Sequence, residues 1–281
     1  MDDSLGQVQT HIAMQNNNVL ILVVMDDSLG LNNLIYRTFH NKMYNIVNNL
    51  RSLRMPGMAH YWETLEETRQ TDGFSLRDGL QLLVQAELDN RTQSRNSRLV
   101  KNARFRYSAT LEDLNYDVSR GMDKAAVTSL ATCDYIRKGV SVLITGPAGT
   151  GKSWLATALG YQACLNGYKV MYFNIMKLFE EIALARISST LHKFFAKIAQ
   201  TNLLILDDFG VKVLEGQQLL DLMEIIEDRH GRNSTIIVSQ LPVANWYDIL
   251  NGNTTAADAI LDRIVHTSKR FTLSGSSLRK K

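Results

Sequence analysis

The feature that most limits how this chain folds is one eight-residue loop. Gly146, Pro147, Ala148, Gly149, Thr150, Gly151, Lys152 and Ser153 fit the spacing GxxxxGK[ST]. Such a loop binds phosphate because its glycines let successive backbone N–H groups curl around the oxygens. The chemistry needs a strand before the loop and a helix after it. The sequence supplies both: apolar Val142–Thr145 precedes it and helical spacing begins near Lys152. The helix N-terminus then faces the phosphates with its positive dipole end. Lys152 is expected to reach the β- and γ-phosphates, and the Ser153 hydroxyl to ligate Mg²⁺. A glycine-rich turn with no ligand would not require this context.

Leu203 to Leu206 form an apolar run that ends in Asp207 and Asp208. Four apolar residues before an Asp are common, but a phosphate loop upstream gives them a use. Asp207 is expected to hold Mg²⁺ through water, and Asp208 to orient or deprotonate the attacking water. A further core strand, Thr235–Ser239, ends at Gln240, which is placed to sense the γ-phosphate; the competing reading is a loop amide with no ligand. Arg263 lies on a predicted helix, from which an arginine reaches a neighbouring subunit's γ-phosphate in trans. Its competing reading is a surface ion pair with Asp262 or Asp258. Arg279, in the basic tail, has three readings: it faces nucleotide, DNA or solvent.

Val140–Thr145, Lys169–Asn174, Leu203–Asp207 and Thr235–Ser239 read as short apolar strands, and Arg270–Leu273 as a final strand. Trp154–Leu165 and Gln217–Arg229 between them have helical spacing. Strands alternating with helices give an α/β fold, a parallel sheet covered on both faces. A small-molecule kinase would need a lid with several arginines, and no such cluster lies between Asp208 and Gln240. Of the 281 residues, 45% are hydrophobic and 21% charged, enough apolar surface to exclude disorder throughout. The longest aliphatic run, Val19–Val24, is far too short to span a bilayer. With no basic flank before it, it is also a poor signal peptide. Cys133 and Cys164 form no CxxC, so a disulfide scaffold and a zinc finger are excluded. The chain reads as soluble and cytoplasmic, with two ordinary buried thiols.

Residues 1–42 read as an extension of uncertain order. They are rich in Asn and carry MDDSLG twice, at Met1–Gly6 and Met25–Gly30. Met43 opens a more coherent segment, which also fits a start codon placed too early. Residues 43–110 read as a small all-helical domain, with Ser75 capping one helix. That helix runs into Arg91, Arg95, Arg98, Lys101, Arg104 and Arg106, with no acidic residue between them. Arg91, Arg95 and Arg98 share one helical face. A solvated surface usually mixes both signs, so this run suits a nucleic-acid backbone better. Residues 111–281 form the nucleotide-binding domain.

From about Leu50 onward the chain resembles the IstB-like helper ATPases of bacterial insertion sequences. These are relatives of the DnaC helicase loaders within the AAA+ class. The resemblance rests on Leu53–Ala59, Ala103–Tyr107, Arg120–Asp123, the phosphate loop and Leu206–Asp208. Its most specific parts are Ser239–Val243 with Trp246, and Ala257–His266. It implies an AAA+ P-loop core preceded by a small helical domain. It also implies a Mg²⁺-dependent ATPase that oligomerises on double-stranded DNA, remodels it and presents it to the transposase of the same element. The alternative is a DnaC-like replicative helicase loader acting on single strands. Asp208 stands where most AAA+ proteins carry Glu; being one methylene shorter, it implies slow, DNA-stimulated hydrolysis suited to a switch.

Overall fold

The computed structural model describes residues 46–70, 73–214, 216–250, 255–266 and 268–278. The readings made for residues 1–42 and for Arg279 lie outside them. The chain divides after Thr92 into two compact units.

In the first unit, a helical stretch over 46–52 leads to α1 (Pro56–Glu67). Pro56 occupies the first turn, where its missing N–H costs nothing. The next helix, α2 (Leu76–Ala103), is 28 residues long and crosses the division. Ser75 caps it as expected: its hydroxyl accepts from the Asp78 N–H at 3.2 Å and donates to the Asp78 carboxylate at 2.6 Å. Gly57 explains part of the Leu53–Ala59 segment. A Cβ there would stand 2.6 Å from the Ala86 carbonyl and 2.8 Å from Glu87 Cα, so only glycine lets the two helices close. Glu87 then replaces the missing α1 cap. Its Oε2 accepts from the N–H groups of Gly57 and Met58 at 2.8 and 3.2 Å, and Arg91 holds its other oxygen at 2.7 Å.

The second unit is a three-layer α/β domain. After α3 (Lys124–Ala131) and the single turn α4 (Asp134–Arg137), the chain enters β1 (Val142–Thr145). There follow α5 (Lys152–Leu165), β2 (Val170–Asn174), α6 (Ile175–Ile187) and α7 (Leu191–Ala199). Next come β3 (Leu203–Phe209), α8 (Gln217–Arg229) and β4 (Ser234–Ser239). The chain closes with α9 (Trp246–Ile249), α10 (Thr255–Val265) and β5 (Lys269–Thr272). Every pairing is parallel, in the order β2-β3-β4-β1-β5. The five expected strands are present, with ends moved by one or two residues.

The central parts of β1 to β4 are apolar because both faces of the sheet are covered there, whereas the edge strand β5 buries only Phe271. Val142, Ile144, Ile205, Ile236 and Val238 pack on the side of α3 and α5. Leu143, Leu204, Leu206 and Ile237 pack on the side of α6, α8 and α10. β4 lies between β1 and β3, so the ends of all three meet at one edge: Thr145 is level with Ser239, and Ser239 with Phe209. This edge is the carboxyl end of the sheet, where open α/β folds bind ligands.

Candidate nucleotide site

The phosphate loop leaves β1 at Thr145 and enters α5 at Lys152, as the spacing demands. Gly151 takes a left-handed φ of 95° to make the turn. Lys152 is buried, its Nζ donating to the Pro147 carbonyl at 2.7 Å. Thr150 Oγ1 donates to the same carbonyl at 2.9 Å, which braces the loop from inside. The Ser153 hydroxyl donates to Asp207 Oδ1 at 3.0 Å. Hydroxyl and carboxylate oxygens this close are hard donors of the kind Mg²⁺ takes alongside water and phosphate. Among the described residues no cluster of three or more His, Cys, Asp or Glu forms an all-protein cage.

The two carboxylates at the end of β3 serve one site because the strand is irregular there. In a regular strand consecutive side chains point to opposite faces. Here Leu206 is level with Ile237, yet Phe209 is level with Ser239, so β3 carries an extra residue. Asp208 absorbs it with φ +58°. Asp207 therefore stays fully buried under Ser153 while Asp208 lines the cavity above the loop. The Tyr172 hydroxyl on β2 donates to Asp207 Oδ2. Burial, and then the Asp207 charge, push the Tyr172 phenol far above its ordinary value, so it remains a donor. Asn174, at the end of β2, donates to Asp208 Oδ2 at 2.7 Å while its own carbonyl caps α6.

The cavity holds about 600 Å³. Residues 148–153 form its floor, and Asp208, Ser239 and Gln240 one wall. Gln240 is exposed there, set by Ser239, whose hydroxyl donates to the Phe209 carbonyl and accepts the Leu241 N–H. Trp246 is fully buried against Phe209 and donates to the Leu241 carbonyl at 3.2 Å, fixing the turn. The opposite wall was not foreseen: Leu114, Asn115, Arg120 and Met122 come from the linker before α3, and Leu278 from the C-terminal strand's extension. The Leu278 N–H donates to the Gly149 carbonyl at 2.9 Å and Arg120 to the Ser276 carbonyl at 2.8 Å. These are contacts between distant segments, and no local spacing signals them.

The basic run is not one surface. α2 ends at Ala103, Arg104 turns the chain with φ +56°, and Phe105 packs edge-on against Tyr172. Arg106 is thereby redirected into the nucleotide cavity, 3.3 Å from Asp208, and does not continue the helical face assigned to DNA. Arg91 pairs with Glu87 and Arg104 with Glu181 at 3.4 Å. Arg95, Arg98 and Lys101 are exposed and form no salt bridge among the described residues. Arg263 is outside the cavity wall; it pairs with Glu227 on α8 at 2.5 Å, rather than with Asp258 or Asp262, and donates to the Ala259 carbonyl. Cys133 and Cys164 are buried free thiols, pushed up by burial to about 11 and about 12. No helix among the described residues is long and apolar enough to cross a membrane.

Residues 48–281 match the family described as IstB-like ATP binding protein. The insertion sequence ATP-binding protein y4pL of Sinorhizobium fredii is 41% identical over 234 residues, covering 83% of this chain and 95% of that protein. The ATP-binding protein of IS1162 from Pseudomonas fluorescens is 39% identical, covering 70% and 85%. That of IS21 from Pseudomonas aeruginosa is 28% identical, covering 83% and 87%. Among solved structures, the DnaC helicase loader aligns with a TM-score of 0.52 at 19% identity, covering 59% of this chain and 96% of that one. The replication initiator DnaA, solved with AMPPCP and single-stranded DNA, also gives 0.52 at 19%, covering 62% and 52%. Both likenesses are of fold alone, a parallel sheet flanked by helices.

Proposed function

Because this chain belongs to the IstB-like ATP-binding protein family of insertion sequences, we propose that it is a Mg²⁺-dependent ATPase that works as a transposition helper on double-stranded DNA. The observation that carries the ATPase reading is the Ser153–Asp207 contact of 3.0 Å, which joins the phosphate loop to the buried carboxylate of β3. When bound, Mg²⁺ would supply positive charge that offsets the negative charge developing on the leaving oxygen. Ser153 and Asp207 are the residues that would hold it, Asp207 through water. Lys152 and the loop N–H groups orient the phosphates, Gln240 contacts the γ-phosphate, and Asp208 takes the proton of the attacking water.

Substituting Lys152→Ala is expected to abolish ATP binding. Asp208→Asn is expected to keep ATP affinity within about twofold while lowering steady-state hydrolysis by about 100-fold. If Asp208→Asn hydrolyses ATP normally, the assignment of the base is wrong. Hydrolysis by the wild type is expected to be slow and to rise on duplex DNA; fast turnover indifferent to DNA overturns the switch reading. The partners proposed are duplex DNA, further copies of this chain and the transposase of the same element. The names of the relatives, all from insertion sequences, support this over the helicase-loader reading, since the likeness to DnaC is one of fold alone.

A further inference from the structure

We propose that Arg106 is a γ-phosphate-sensing residue that exchanges the Asp208 carboxylate for the γ-phosphate of ATP, so that ATP but not ADP releases Asp208 toward the attacking water. The inference rests on the nucleotide-site reading above and assigns a regulation to that site.

Two donors meet on the same oxygen, Asp208 Oδ2. Asn174 Nδ2 lies at 2.7 Å and Arg106 Nη1 at 3.3 Å. They are not equivalent. Asn174 is fixed at its other end, where its carbonyl accepts the Met176 N–H at 3.0 Å and starts α6. The Arg106 side chain is 51% exposed and its contact is long, so this is the partner that is cheaply given up. Its destination is in view. Arg106 lines the same cavity as Lys152, Ser153 and Gln240. A guanidinium engages a phosphate through two parallel N–H bonds, a fork that a single carboxylate oxygen does not fill.

The neighbouring residues make the exchange local. Phe105 is held edge-on to Tyr172, with ring centroids 6.3 Å apart, and Tyr107 lies tilted against Trp154 at 6.0 Å. The backbone on either side of Arg106 is thus anchored to β2 and α5. The guanidinium lies 5.3 Å from the Tyr107 ring, a face along which it can swing without losing contact. ADP offers no γ-oxygens, so Arg106 stays on Asp208 and the carboxylate stays occupied. Asp208 loses its cationic partner only when the phosphate to be cleaved is in place, while Asn174 keeps the carboxylate positioned.

The test compares fluorescent ATP and ADP analogues binding to the full chain as wild type, Arg106→Gln, Arg106→Lys and Lys152→Ala. Arg106→Gln is expected to lose ATP affinity by about tenfold, one charge-assisted contact, with ADP affinity within about twofold of wild type. Arg106→Lys keeps the charge but not the fork, so its ATP/ADP ratio is expected between the two; it serves alone if the Gln variant does not fold. Equal losses for both nucleotides, or an unchanged ratio in either variant, overturn the proposal. A wild type that binds neither nucleotide better than Lys152→Ala overturns the site reading, and the Arg106 role with it.

Discussion

Asp207 shows how a single carboxylate can be fully buried and still be satisfied. Ser153 and Tyr172 donate to its two oxygens, and the Asp208 N–H donates to Oδ1 at 2.9 Å. Of these partners Tyr172 alone lies on another strand, two register positions before the Asn174–Asp207 pair. Replacing it by Phe leaves one buried carboxylate oxygen without its donor. Tyr172→Phe is therefore expected to raise the Mg²⁺ concentration for half-maximal ATPase activity by about tenfold, the usual scale for losing a residue behind a ligand. A Mg²⁺ titration in which the midpoint does not move would remove Tyr172 from the site. Lys152, Ser153 and Asp207 were legible in the sequence because their chemistry follows from spacing along one loop and one strand end. Tyr172 and Asn174 were not, because an aromatic and an amide on a buried strand have many uses and only the β2–β3 register gives them this one. Arg106 was read with the wrong neighbours for the same reason: a run of like charges in sequence says nothing of the turn at Arg104 that separates it from them.

Among the elements, α1 and α2 depend on one buried acid. Burial alone would raise the Glu87 carboxyl, but Arg91 and the N–H groups of Gly57 and Met58 outweigh it and hold the group below its ordinary value. The sign follows from that depression. The ionised form favours the folded state, so the contribution is complete above the unfolded value of about 4.3 and is lost as pH falls through the lower folded value. Glu87→Gln is expected to cost about 1 kcal/mol at neutral pH, the scale of a lost charged helix cap, and to flatten the acid limb of stability between pH 5 and the folded value. Circular-dichroism melts of both proteins across pH 3 to 7 would show it; parallel acid limbs would mean that Glu87 is not the group responsible. The helix capped by Ser75 and the apolar strands were readable because capping and periodicity are local rules. The extra residue in β3 was not, since consecutive Asp207 and Asp208 look the same whether the strand is regular or bulged.

At the scale of the whole molecule, Arg263 faces a choice. In this chain it pairs with Glu227 across α10 and α8, and the same helix buries Ala257, Ile260 and Ile264 in the core. The action in trans expected from the sequence requires that pair to open when a second copy docks. Glu227 is more than half exposed, so opening costs little. Mass photometry on a duplex of several tens of base pairs is expected to show large assemblies with ATP, and smaller species with ADP or without nucleotide. Arg263→Ala is expected to lose the ATP-dependent increase while the monomer still binds ATP. Assemblies of wild-type size from Arg263→Ala would leave Arg263 as half of a structural ion pair.

The sequence by itself determined the class of fold, the phosphate loop and the acid that follows it. Each is written in a contiguous stretch, where the physics of a glycine-rich turn, a helix dipole or a buried strand acts between near neighbours. The tertiary structure alone decided the rest of the site. It placed β4 between β1 and β3, turned Asp208 through a left-handed bulge, set Tyr172 against the buried Asp207, and drew Arg106, Arg120 and Leu278 from three separate segments to one cavity. Those residues meet because the sheet closes in one order and register, which depends on burying two apolar faces at once and is not encoded at any single stretch of chain.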